Sequence, residues 1–135
     1  MTDDRYEAGM RVRREVLGDA HVDRATATTG PGADFQRWIT ETAWGGLWTR
    51  DAHLDRRTRS CITVALLTAL RAEGELGLHL RAARRNGVTV DELAEVVMHT
   101  AGYAGIPAAN TAMAILRQVA AEESENEADE TSRGQ

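Results

Sequence analysis

In the stretch AEGELGLHLRAARRNG, residues 72 to 87, Leu76, Leu80 and Ala83 recur at helical spacing, and His79 stands beside that stripe, where packing alone favours leucine or alanine. Glu75 lies one turn earlier on the same helix. A carboxylate at that spacing orients an imidazole and favours its protonated form, which is what a general acid needs near neutral pH. The competing reading is a structural histidine satisfied by hydrogen bonds.

Three further groups have types and spacings suited to chemistry. His99 and Tyr103 share a stripe with Val96, and the pattern around them places that stripe on an inward helix face. In ITETAWGGLWTR, Glu41, Trp44 and Trp48 fall at i, i+3 and i+7. They read either as aromatic core or subunit anchors, or as the apolar wall of a ligand pocket with a carboxylate at its edge. Arg56, Arg57 and Arg59 crowd the entry of the following helix, where the helix dipole opposes cations, so they need anionic partners. Asp51, Asp55 and Glu73 are within reach in sequence, and the alternative is a substrate carboxylate gripped by an arginine fork.

No metal signature organises these groups. His79 and His99 are not at i and i+4, and the single cysteine, Cys61, sits in the apolar run SCITVALLTAL, where it reads as packing. The sequence also has no glycine-rich phosphate loop and no GxSxG elbow. Acid and base chemistry without a cofactor is what remains.

The elements that must carry these side chains follow from stops and periods. A first helix is expected over about Asp4 to Leu17, ending at Gly18, and a second from about Asp34 to Trp48 after the loop TATTGPGA. A third begins after Asp55 as N-cap, and its apolar run to Leu70 reads as a buried central helix. The helix of His79 ends at Gly87. Thr89 and Glu92 form a capping box for a fifth, with Leu93, Val96, Val97, Thr100 and Ala101 inward. Pro107 opens a sixth, running to about Ala121. No segment shows sustained two-residue alternation, so the expected fold is all-α: one domain of six helices over residues 1–121 with a tail over 122–135.

The net charge is −5, and the tail EESENEADETSRGQ, with six acids and one arginine, carries all of it. The body is therefore close to neutral. It lacks the basic face that nucleic acid requires, and the tail reads as a disordered solubilising extension. The polar N-terminus and the absence of any bilayer-length apolar run lead to the expectation of a cytoplasmic protein without a membrane partner.

Taken together, RYEAGMRVRREVLGDAHVDRA, AWGGLWTR, LDRRTRSCITVALLTAL and GELGLHLRAARRNGVTVDELAEVVMHTAGYAGIPAAN resemble the carboxymuconolactone decarboxylase family over about residues 5 to 120. The wider superfamily, which includes the AhpD-like reductases, typically carries CxxC with a histidine four residues after the second cysteine. Laid on His79, that pattern puts the cysteine positions at Ala72 and Glu75, and an upstream glutamate near Ser60. With neither thiol present, the resemblance implies a retained histidine and no thiol redox chemistry.

The resemblance further implies a compact AhpD-like helical domain assembling as a homo-oligomer, a hexamer or trimer. The implied reaction is loss of carbon dioxide from the lactone dicarboxylate γ-carboxymuconolactone, giving 3-oxoadipate enol-lactone in the protocatechuate branch of the β-ketoadipate pathway, with no cofactor and no metal. On that footing His79 is the expected proton donor, oriented by Glu75. His99 and Tyr103 would polarise the lactone oxygen, with Glu41 orienting one of them. Arg57 or Arg59 would hold the retained carboxylate arm, and Trp44 and Trp48 would wall the leaving group. Two alternatives stand beside this: a related lactone or keto-acid lyase or isomerase on the same scaffold, and a non-enzymatic helical oligomer that binds an organic acid.

Overall fold

The computed structural model describes residues 2–134, with side chains over 4–134. The described residues form α1 (Thr2–Leu17), α2 (Asp19–Thr26), α3 (Pro31–Ile39), a π-helical turn (Thr40–Trp44), α4 (Arg56–Ala69), α5 (Glu73–Arg85), α6 (Val90–Ala104) and α7 (Ile106–Arg133). The fold is all-α, with seven α-helices among the described residues in place of the six expected. The additional helix is α2. Gly18, at φ 89°, takes a left-handed conformation that ends α1, and the chain restarts as a helix burying only Val22, too little for an apolar period to register. No helix among the described residues is long and apolar enough to cross a membrane.

Contacts divide the chain into two compact units, residues 1–59 and 60–135. In the first, α1 packs on α2 and on the π turn, and α3 runs directly into that turn. The backbones of α1 and the turn are nearly in contact. A Cβ on Gly9 would collide with the Thr40 carbonyl oxygen and the Gly45 backbone, and one on Gly45 would collide with the Arg5 carbonyl oxygen. This explains the first glycine of AWGG: close backbone approach leaves no room for a side chain.

The second unit closes over a core of Val64, Leu76, Leu80, Ala83, Leu93, Val97, Leu116 and Val119, with α5 and α6 each packed on α7. The capping box forms: Thr89 Oγ1 accepts the Glu92 N–H at 3.1 Å, and Glu92 Oε1 accepts the Thr89 N–H at 3.0 Å. Helix α4 departs from the expected buried central helix. Ser60, Val64 and Thr68 form its buried face, while Ile62 and Leu66 stand exposed on another, as does Leu70 in the turn that follows. The apolar run is continuous in sequence, but this single chain covers only one side of it.

Helix α7 continues to Arg133 where the sequence suggested an end near Ala121 and disorder beyond. Its inward residues stop at Val119, and the next turn is held by charge. Arg81 Nε and Nη2 donate to Glu122 at 3.0–3.1 Å, and Arg84 Nε donates to Glu123 at 3.0 Å while its Nη1 reaches the Val88 carbonyl. Acids that read as a solvated run in sequence are thus paired by cations from α5, which apolar periodicity does not detect.

Candidate active site

Helix α5 presents Leu76, Leu80, Ala82 and Ala83 to the core. Glu75 and His79, one turn apart, lie off that face, with Glu75 exposed and His79 half-buried. The histidine therefore occupies the border between core and solvent. On α6, Leu93, Val97 and Thr100 take the inner face. His99 and Tyr103 consequently point outward, and Tyr103 is 86% exposed, which corrects the inward placement expected from the sequence. Helical rotation allows one inner stripe, and Leu93 with Val97 fills it.

The two outward rings are in contact, their centroids 5.1 Å apart and their planes inclined by 33°. They edge an open groove of about 350 Å³ whose other wall is Ala65, Leu66 and Ala69 of α4. Its lining is almost wholly apolar side chain, with the imidazole and the phenol as the polar tips. Such a surface suits a flat, apolar body with a few placed hydrogen bonds.

In the first unit Trp44 and Trp48 are both buried and stacked, with centroids 5.2 Å apart and an interplanar angle of 27°. Glu41 does not share their stripe in the way α-helical spacing implied. The Gly45 N–H bonds to the Thr40 carbonyl across five residues, so the turn holds one residue more than an α turn and shifts the register between Glu41 and Trp44. The Glu41 carboxylate instead accepts Arg37 Nε at 3.0 Å, and that guanidinium lies over the Tyr6 ring at 4.4 Å.

The arginines sort differently from the sequence expectation. Arg56 pairs with Glu15 at 2.7 Å, a partner too distant in sequence to be read, rather than with Asp51, Asp55 or Glu73. Arg59 Nη2 donates to the Arg50 carbonyl at 2.9 Å. Arg57 is exposed. Asp55 is the N-cap, its Oδ1 accepting the Thr58 N–H at 2.7 Å. The hydrogen bond from the Thr58 backbone lowers the Asp55 pKa, helped by the Thr58 side chain and the Arg57 charge.

Two polar links escaped sequence reading. Ser60, almost wholly buried, accepts the Asn86 amide at 2.9 Å, tying the start of α4 to the end of α5. Arg13, 4% exposed, donates from Nη1 to Thr40 Oγ1 at 3.0 Å and from Nη2 to Gln36 Oε1 at 2.7 Å. Its position on the inner face of α1 at a one-turn interval from Gly9 was the only available signal. Among the described residues no cluster of three His, Cys, Asp or Glu is placed to hold a metal ion.

The candidate residues fall in both units: Glu41, Trp44, Trp48, Arg57 and Arg59 in the first, and Glu75, His79, His99 and Tyr103 in the second. The contacts described join Trp44 to Trp48 and His99 to Tyr103.

The profile of the family described as "Carboxymuconolactone decarboxylase family" matches residues 33–118. The chain is 48% identical over 116 residues to 4-carboxymuconolactone decarboxylase of Acinetobacter baylyi, covering 85% of this chain and 86% of that one. It is 43% identical over 117 residues to nitrosuccinic acid decarboxylase npaB of Metarhizium robertsii, covering 84% and 79%. A 42-residue match at 55% identity to 4-carboxymuconolactone decarboxylase of Pseudomonas putida covers 30% of this chain and 88% of that sequence.

Proposed function

The chain belongs to the carboxymuconolactone decarboxylase family and is a decarboxylase, and on that premise we propose that it converts γ-carboxymuconolactone to 3-oxoadipate enol-lactone and carbon dioxide. The observation that carries this reading is the 48% identity, over 85% of the chain, to the Acinetobacter baylyi protein of that name.

The substrate supplies its own electron sink. When the ring carboxylate leaves, the electron pair of the breaking C–C bond passes through the ring double bond into the lactone carbonyl, giving a dienolate. A proton then goes to the ring carbon next to that carbonyl. The protein has to hold the retained acetate arm, stabilise the developing oxyanion, deliver the proton and leave the departing carboxylate poorly solvated. An arginine on the departing carboxylate would favour the ground state, so only groups that bind more strongly in the transition state help there.

His79 serves as the proton donor, with Glu75 one turn away orienting it. Its border position on α5 supports that role. His99 and Tyr103 polarise the lactone oxygen, as the polar tips of an apolar groove are able to do. Arg57 or Arg59, both at the start of α4, binds the retained arm. Trp44 and Trp48 form the apolar wall for the leaving group. Glu41 acts through Arg37, which it holds by an ion pair and whose guanidinium lies over the Tyr6 ring. The reaction takes place in a homo-oligomer, in which a second copy covers the exposed apolar stripe of α4; that stripe is the feature supporting assembly.

A second reading follows from the nitrosuccinic acid decarboxylase at 43% identity. Nitrosuccinate also carries its own electron sink, since loss of carbon dioxide beside a nitro group leaves a nitronate. Carbon dioxide release measured in parallel from the two acids separates the readings. Stoichiometric release from the lactone with enol-lactone formation is expected. Release from nitrosuccinate alone would move the substrate to the second reading, and release from neither would overturn the proposal.

A further inference from the structure

We infer that Arg13 is a positioning residue for the Glu41–Trp48 stretch, acting by fixing the π-helical turn on which that stretch is built; the inference rests on the proposed assignment of those side chains to the substrate. Arg5, Gly9 and Arg13 are spaced one turn apart along α1, and all three meet the turn or the helix leading into it. The Arg5 carbonyl abuts Gly45, Gly9 abuts Thr40 and Gly45, and Arg13 bonds Thr40 and Gln36. Thr40 opens the turn, is wholly buried, and also donates its hydroxyl to the Gln36 carbonyl at 2.8 Å. One guanidinium therefore grips both sides of the point where α-helical register gives way to π register.

The chemistry of the grip requires arginine. Its two acceptors sit on different residues, 3.0 and 2.7 Å from two different terminal nitrogens, a fork that a single ammonium cannot reproduce. Burying a cation is also costly, and a position that only filled space at 4% exposure would be occupied more favourably by an apolar side chain. What the fork adds is geometry. A π turn is an uncommon conformation that an ordinary helix would replace, and slipping back by one residue would rotate Glu41 and Arg37 relative to the stacked Trp44 and Trp48.

The test compares Arg13→Met, Arg13→Lys and Gln36→Leu with wild type by four readouts: thermal melting, near-ultraviolet circular dichroism of the tryptophan pair, amide hydrogen exchange over residues 40–45, and kcat and KM with γ-carboxymuconolactone. Arg13→Met should stay helical, lose the tryptophan signal and exchange the turn amides about tenfold faster or more. Its kcat should fall about ten- to a hundredfold, the cost of a small misplacement. Arg13→Lys should not restore it, and Gln36→Leu should shift every readout the same way by less. An unchanged tryptophan signal, full rescue by lysine, or a lowered melting temperature with normal kcat well below it would each overturn the inference. Should Arg13→Met fail to fold, Gln36→Leu carries the comparison with Arg13 in place. Should wild type not decarboxylate the lactone, the substrate reading falls while the spectroscopic and exchange arms still judge Arg13.

Discussion

Replacing Leu66 with Asp should dissociate the homo-oligomer proposed above while leaving the protomer folded. Ile62 and Leu66 on α4, and Leu70 in the turn just after it, recur at four-residue intervals and leave 44%, 56% and 75% of their surfaces uncovered. Fully burying an aliphatic side chain stabilises by about 1.5–3 kcal/mol, so covering the remainder of Leu66 contributes about 1–1.5 kcal/mol per copy. Across a two-fold contact in which both copies use this face, that is about 2–3 kcal/mol, or about 30- to 150-fold in the dissociation constant. An aspartate adds a carboxylate that must be desolvated, so this range is a lower bound. The effect on the protomer should be small, because Leu66 lies outside the buried face of Ser60, Val64 and Thr68. Sedimentation velocity over a concentration series, with far-ultraviolet circular dichroism as the folding control, reads both quantities. A wild type that sediments as a monomer throughout, or a Leu66→Asp protein that assembles as wild type does, would refute the reasoning.

Other perturbations have equally definite outcomes. Leu80→Ala empties a wholly buried site in the core of the second unit and should cost about 2–5 kcal/mol in urea denaturation. Thr89→Ala removes one arm of the capping box and should cost about 1 kcal/mol, visible as a lower melting temperature. Arg57→Met should raise KM for the lactone more than it lowers kcat, whereas an equal fall in kcat and kcat/KM would place that contact in the transition state alone. Asp55 has a pKa below its usual value, so its stabilisation is fully present above pH 3.8 and is lost as pH falls through the lowered folded-state value. The stability difference between wild type and Asp55→Ala should accordingly be constant near neutrality and shrink in strong acid.

How much of this was legible in the sequence depended on whether a residue announced itself locally. The capping box at Thr89 and Glu92, the N-cap at Asp55 and the start of α7 around Pro107 are short-range chemistry, and the structure contains all three. The all-helical class followed from periodicity, and the family from motifs spread over most of the chain. Helix α2 was hidden because it buries a single side chain. The π turn was hidden because what it packs against lies outside it, in Arg5, Gly9 and Arg13 of another helix. The same holds for the pairing of Arg56 with Glu15 and of Arg81 and Arg84 with Glu122 and Glu123, where the partner lies tens of residues away. In α4, hydrophobicity alone could not distinguish burial within the chain from an apolar face left open, and Leu66 lies on the open one. For His99 and Tyr103 the spacing misjudged which way they face, because Leu93 and Val97 outcompete them for the core.

The central claim is that this chain decarboxylates γ-carboxymuconolactone with His79 delivering the proton. Proton NMR in deuterated buffer, following the lactone generated in place from its muconate precursor with wild type and with His79→Gln, addresses both halves of it at once. The account predicts loss of the carboxyl group with deuterium entering next to the lactone carbonyl in wild type. It predicts turnover slower by about 100- to 10,000-fold in a folded His79→Gln protein. A folded wild-type protein that leaves the lactone unconsumed would contradict the substrate, and unchanged turnover in His79→Gln would contradict the role given to the histidine.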